Sequence, residues 1–107
     1  NIRPALYQAE YSCDIATRMG EPKDKTFCVA GKNCESGDIL IKEAKLPSSV
    51  CEGDLLVIYA AGAYGYSMAS NYNQALIPAV VAVSESGAHV MLRRQTVDDL
   101  LNLDVSE

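Results

Sequence analysis

Cys34-Glu35-Ser36-Gly37-Asp38 places a thiol, a carboxylate, a hydroxyl, a flexible glycine and a second carboxylate in one short run. A free thiol ionises near a pKa of roughly 8.5, so at neutral pH it is mostly protonated and can donate. An ionised carboxylate beside a thiol disfavours the thiolate further. Cys34 next to Glu35 is therefore better suited to delivering a proton than to attacking as a nucleophile. Two plainer readings stand beside that one. Cysteine most often serves as a small buried hydrophobe, and Glu35 and Asp38, which could pair as acid and base, would in an ordinary turn simply be solvated.

A second stretch could face the same chemistry. Gly62-Ala63-Tyr64-Gly65-Tyr66 opens a segment, residues 62–73, that carries Tyr64, Tyr66 and Tyr72 and no charge at all. Rigid, uncharged aromatic loops often line ligand sites. The alternative is a short helical turn that packs its tyrosines on the core. Near the N-terminus, Arg3 and Tyr7 offer a guanidinium fork and a phenol, a pair able to hold a carboxylate; by spacing alone, Arg3 reads as a surface residue. His89, between Ala88 and Val90, reads as structural rather than catalytic. Cys13, Cys28 and Cys51 sit in or beside strand patterns and read as small buried hydrophobes. With one histidine and no CxxC spacing, no metal site is expected. The four cysteines allow two disulfides in three connectivities, but no secretory pattern accompanies them, so they are expected to be reduced.

The elements that must position these residues are mostly strands. Tyr7, Ala9, Tyr11, Cys13 and Ile15 alternate with Gln8, Glu10, Ser12 and Asp14, which is the period of a strand with one buried face. Residues 26–31 are rich in β-formers. Residues 39–41 resume a strand just after Asp38, while residues 43–50 are mixed and turn at Pro47. Residues 55–61 form a continuous apolar run, expected as a strand buried on both faces. Residues 79–83 and 88–93 form a strand pair around a four-residue loop, Ser84-Glu85-Ser86-Gly87. Thr96 and Asp99 form a variant capping box at the start of a terminal helix, with Leu100, Leu101 and Leu103 as its apolar side. Strands and helices do not alternate, so a parallel α/β sheet is disfavoured. The expected fold is all-β and mainly antiparallel, a Greek-key-like barrel or sandwich with a short C-terminal helix.

The whole chain, residues 1–107, is enough for one small domain. Its net charge of −5 argues against a nucleic-acid partner, which needs clustered Lys and Arg. No apolar run approaches the roughly 20 residues that span a bilayer, so no membrane partner is expected either. The setting these features suggest is cytoplasmic. The chain opens on Asn1 rather than Met, as a cut or processed piece would.

The same stretches carry a family resemblance. Arg3-Pro4-Ala5-Leu6-Tyr7, Cys34-Glu35-Ser36-Gly37-Asp38, Gly53-Asp54-Leu55-Leu56, and Ala61-Gly62-Ala63-Tyr64-Gly65-Tyr66 with Ser70-Asn71-Tyr72-Asn73 resemble the C-terminal domain of diaminopimelate decarboxylases, fold-type III pyridoxal-phosphate enzymes. The blocks keep the family's order and spacing over most of the chain, and residues 92–101 agree as well. The resemblance implies a homodimer whose subunits each join an N-terminal α/β barrel to this β domain. The barrel binds pyridoxal 5'-phosphate through a lysine, and the reaction releases CO2 from meso-diaminopimelate to give L-lysine. It further implies that Arg3 and Tyr7 bind the distal end of the substrate. Cys34 would be the proton donor and Glu35 would bind the distal amino group, both reaching into the second subunit's site. Tyr64 would contact both cofactor and substrate.

The chain also departs from the pattern. The barrel is absent, and none of Lys23, Lys25, Lys32, Lys42 or Lys45 lies in the cofactor-lysine motif, so this chain alone is expected to be inactive. Ile77-Pro78 stands where the family often has Arg-Pro, and Asn33 where proline is common. Two other readings remain: a sister decarboxylase acting on ornithine, arginine or a carrier-linked amino acid, and a non-catalytic β module for binding or assembly.

Overall fold

The alternation at the N-terminal end does form a strand. In the computed structural model, which describes residues 10–105, β1 covers Cys13–Ile15. Cys13 and Ile15 point inward, 6% and 2% exposed, while Asp14 between them is half-buried. Residues 10–12 of the expected strand are not strand, and its start, including Tyr7, lies outside the described residues. Contacts divide the chain into two compact units, one ending at Ala69 and one beginning at Ser70.

In the first unit, β2 (Lys25–Ala30) and β3 (Ile39–Leu46) pair antiparallel. The register runs from Lys25 opposite Leu46 to Ala30 opposite Ile39, with an irregularity at Cys28. β3 continues past Ile41 through residues that look mixed in sequence. Ala44 and Leu46 face in and Lys45 faces out, so the strand period survives among the charges. β1 pairs antiparallel with β4 (Leu56–Ile58), placing Cys13 opposite Ile58 and Ile15 opposite Leu56. The β2–β3 pair lies between β1 and β4 in the sequence.

The core of this unit is Cys13, Ile15, Ala44 and Leu46, with Phe27, Val29, Ile41, Val50 and Ile58 packed against it. Burying one such aliphatic side chain contributes about 1.5–3 kcal/mol. Polar staples fix the surrounding turns. Arg18 pairs with Asp54 at 2.5 Å, and Asp54 also accepts the Cys51 N–H at 2.8 Å. Lys23 pairs with Asp14 at 2.8 Å, and the Tyr59 hydroxyl donates to the other Asp14 oxygen at 2.9 Å.

The apolar run at residues 55–61 corrects the sequence expectation. Only Leu56–Ile58 is strand, and Leu55 is 69% exposed. Ala60 takes φ 53°, a left-handed conformation that is costly for a residue with a Cβ and turns the chain out of the strand. Apolar composition alone had suggested two covered faces; among the described residues, β4 pairs only with β1.

The second unit holds the antiparallel pair β5 (Val80–Ser84) and β6 (Gly87–Leu92). Ser84 pairs directly with Gly87, so the loop between strands is the two residues Glu85 and Ser86 rather than four. Gly87, at φ 130°, supplies the conformation this tight reversal needs. His89 is exposed on β6, opposite Ala82. The Gln95 side-chain oxygen accepts from Asn71 Nδ2 at 2.6 Å and from the Ile77 N–H at 2.9 Å. This anchors the 3₁₀ turn Tyr72–Gln74 to the segment after β6. The terminal helix, here α2 (Val97–Leu101), starts on the expected capping box of Thr96 and Asp99. The same Asp99 carboxylate receives both Arg93 nitrogens at 2.7 Å.

Candidate functional site

The thiol-carboxylate run lies in the connection between β2 and β3. The last ladder pair is Ala30 opposite Ile39, so residues 31–38 form the loop at the end of this strand pair. Its backbone is tightly tied. Gly31 N–H donates to the Asp38 carbonyl at 2.8 Å, Glu35 N–H to the Asn33 carbonyl at 2.9 Å, and Asp38 N–H to the Glu35 carbonyl at 3.3 Å. Such a loop presents side chains from a fixed frame, which is what a positioned donor requires.

Within that frame the two carboxylates take opposite places. Asp38 is buried, at 4% exposure, and its Oδ2 accepts the Asn33 N–H at 2.8 Å. Glu35 is half-buried, and its Oε1 lies over Gly37: a Cβ on Gly37 would come within 3.3 Å of it. Cys34 is an exposed free thiol. The turn thus exposes Cys34, leaves Glu35 half-buried over Gly37 and keeps Asp38 for its own structure. Asp38 and Glu35 do not form an acid–base pair of equals.

Tyr64 stands on a different element, the single helical turn α1 (Gly62–Gly65) that follows β4 and Ala60. The sequence left two outcomes for this segment, and the structure combines them. A short helical turn forms, but Tyr64 is 70% exposed and Tyr66 is also exposed rather than packed on the core. The Tyr64 carbonyl accepts Met68 N–H at 3.0 Å and Ser67 Oγ–H at 3.2 Å, which fixes the backbone beneath the phenol. Arg3 and Tyr7 lie outside the described residues.

The remaining cysteines separate. Cys13 is in the core, and burial pushes its thiol up, against a smaller opposing pull from Lys23. Cys28 and Cys51 are exposed, not buried as their strand surroundings suggested. Cys28 sits at the register irregularity of β2, and Cys51 in the turn closed by Asp54. Sequence reasoning missed the roles of Asp38, Asn33 and Gly31 around Cys34. Residue types carry no signal for them, because each depends on what the loop folds against.

A family model described as "Pyridoxal-dependent decarboxylase, C-terminal sheet domain" matches residues 1–62, more than half of the chain. The chain belongs to this family. Among curated relatives, this sheet domain is 55% identical to diaminopimelate decarboxylase of Bacillus subtilis over 98% of its length. It is 52% identical to the enzyme of that name in Corynebacterium efficiens, also over 98%, and 46% identical to that of Mycobacterium tuberculosis. The chain spans about a quarter of these relatives, 24%, 23% and 24% of their lengths. Among solved structures, it is similar to diaminopimelate decarboxylase from M. jannaschii in complex with L-lysine. That match has a TM-score of 0.82 and 35% identity, covering 99% of this chain and 24% of the other. A mainly antiparallel sheet domain is therefore both the observed architecture and the family's.

Proposed function

We propose that this chain is the sheet domain of a diaminopimelate decarboxylase, which converts meso-diaminopimelate to L-lysine and CO2. The observation that carries the reading is agreement over nearly the whole sheet domain, at 55% identity, with an enzyme of that name. The geometry supports it. An exposed thiol and a half-buried carboxylate are neighbours on a tied loop, which suits one group to donate a proton and the other to bind an ammonium.

In this reading Cys34 is the proton donor and Glu35 binds the distal amino group of the substrate. Arg3 and Tyr7 complete the hold on the distal end. Tyr64 contacts cofactor and substrate. The enzyme is a homodimer in the cytoplasm, and Cys34 and Glu35 serve the site of the second subunit. Pyridoxal 5'-phosphate, when bound, supplies the electron sink for loss of CO2. The fit of this chain to that group is partial: Tyr64 offers an exposed phenol on an uncharged turn, while α1 is too short to cradle a phosphate. The cofactor's main hold is therefore assigned to the barrel of the full-length protein, and the isolated sheet domain is inactive.

The test is Cys34→Ala in the full-length enzyme. Loss of a positioned general acid should lower turnover about a hundredfold or more, with cofactor content unchanged. Unaltered turnover would remove Cys34 from the reaction.

A further inference from the structure

Asp38 is buried, and the proposed reaction gives it no task. Among the described residues it is the one charged side chain in that position. A buried carboxylate is costly unless hydrogen bonds compensate it. Asp38 receives its bond from the Asn33 N–H at 2.8 Å, immediately before Cys34. Its own carbonyl accepts the Gly31 N–H at 2.8 Å. One residue therefore grips the loop twice, with its main chain at the exit of β2 and with its side chain next to the thiol.

Gly31 provides the room for this grip. A Cβ built on Gly31 would fall on the Asp38 carboxylate. Gly31 does not adopt the left-handed φ that would itself demand glycine. What the glycine supplies is space, so the effect of adding a methyl there depends on the carboxylate being present.

We infer that Asp38 and Gly31 form a clamp that positions Cys34 for proton delivery. This rests on the proposed role of Cys34, and Asp38 is a positioning residue that acts through the Asn33 backbone. Displacing a reacting group by about 1 Å can cost on the order of a hundredfold in rate. Moving the Asp38 carboxylate should therefore register at Cys34, although neither Asp38 nor Gly31 touches substrate.

The experiment is a substitution cycle in the full-length enzyme. It has two readouts: turnover at saturating substrate, and the rate at which iodoacetamide labels the Cys34 peptide, followed by mass spectrometry. Gly31→Ala alone should lower turnover about tenfold or more and shift the labelling rate severalfold, with cofactor content retained. In an Asp38→Ala background the obstructing carboxylate is gone, and Gly31→Ala should cost less than about twofold, the non-additivity of groups in contact. In an Asp38→Asn background the side chain keeps its shape, and Gly31→Ala should again cost its full amount. If Asp38→Ala does not fold, Asp38→Gly, which likewise leaves no atom beyond the Cβ position to meet the added methyl, replaces it. Losses that simply multiply in the truncated background overturn the clamp, as does a Cys34 labelling rate that Gly31→Ala leaves unmoved. A purely structural Asp38 would lower the melting temperature and move neither readout at permissive temperature. Labelling also keeps the two ideas apart. If Cys34→Ala leaves turnover intact while the labelling cycle holds, the proton-donor reading fails and the clamp geometry stands.

Discussion

Glu35 and Asp38 are three positions apart in one loop, and the loop treats them as different chemical objects. Asp38 is turned inward onto the Asn33 N–H, while Glu35 lies across Gly37. Residue types gave no way to separate them, because turn carboxylates look alike until something folds against one of them. What the residue types did mark was the run itself, Cys34 to Asp38, as the loop between two strands. The contact over Gly37 leads to a specific expectation. A Cβ at Gly37 would sit 3.3 Å from Glu35 Oε1, close enough that the carboxylate must yield by a few tenths of an ångström. If Glu35 binds the distal ammonium, Gly37→Ala weakens that bond without touching the proton donor. A whole charged hydrogen bond is worth about 1.5–3 kcal/mol, so its partial loss should raise KM roughly fivefold. kcat should stay within about twofold, the pattern of lost uniform binding. Steady-state kinetics on diaminopimelate decides it: a fall in kcat at constant KM would show that Glu35 does not hold the substrate's far end.

At the scale of elements, β1, β2, β5, β6 and the capped terminal helix follow from period, β-formers and turn residues. β3 was harder to see because Lys42, Glu43 and Lys45 are interspersed with Ala44 and Leu46, although the inward positions still alternate. β4 was overestimated because an apolar run reads as buried whatever surrounds it, and the left-handed Ala60 that ends it has no marker in residue type. What holds β1 and β4 together is partly ionic, and this gives the pairing a pH dependence. Arg18 is the main cause, and the Cys51 N–H the next, holding the Asp54 carboxyl below the ordinary range; Lys23 and then Tyr59 do the same for Asp14. A folded pKa below the unfolded one contributes stability that is complete above the ordinary carboxylate value, about 3.9. That stability is lost as pH falls through the lower, folded value. Amide exchange protection of the β1 and β4 peptides should therefore be level between neutral pH and about pH 5 and decline below about pH 4. Asp54→Asn should lower protection at neutral pH and make the acid decline shallower. An identical decline in this variant would mean that the Arg18–Asp54 pair does not carry the effect.

At the scale of the whole molecule, the chain spans about a quarter of its relatives, 24% of the Bacillus subtilis enzyme, and exposes Cys34 and Tyr64, which the proposed function makes parts of a site completed outside this chain. In the proposed function, the cofactor lysine and the surface facing Cys34 belong to the rest of the full-length dimer. What can be tested is whether Cys34 works across subunits. Consider a full-length enzyme carrying Cys34→Ala, mixed with one whose cofactor lysine is replaced; each alone should retain little turnover. If the thiol serves the second subunit's site, a hybrid dimer holds one site with both groups intact and one with neither. Random pairing in a two-fold dimer makes half the dimers hybrids, so roughly a quarter of the wild-type sites should return. If the thiol serves the site of its own subunit, every site in the hybrid lacks one group and nothing returns. Subunit exchange must be shown independently, with mass-tagged subunits, so that the absence of recovery has only one meaning. Recovery near that fraction, dependent on exchange, would establish the shared site; its absence among proven hybrids would confine Cys34 to its own subunit.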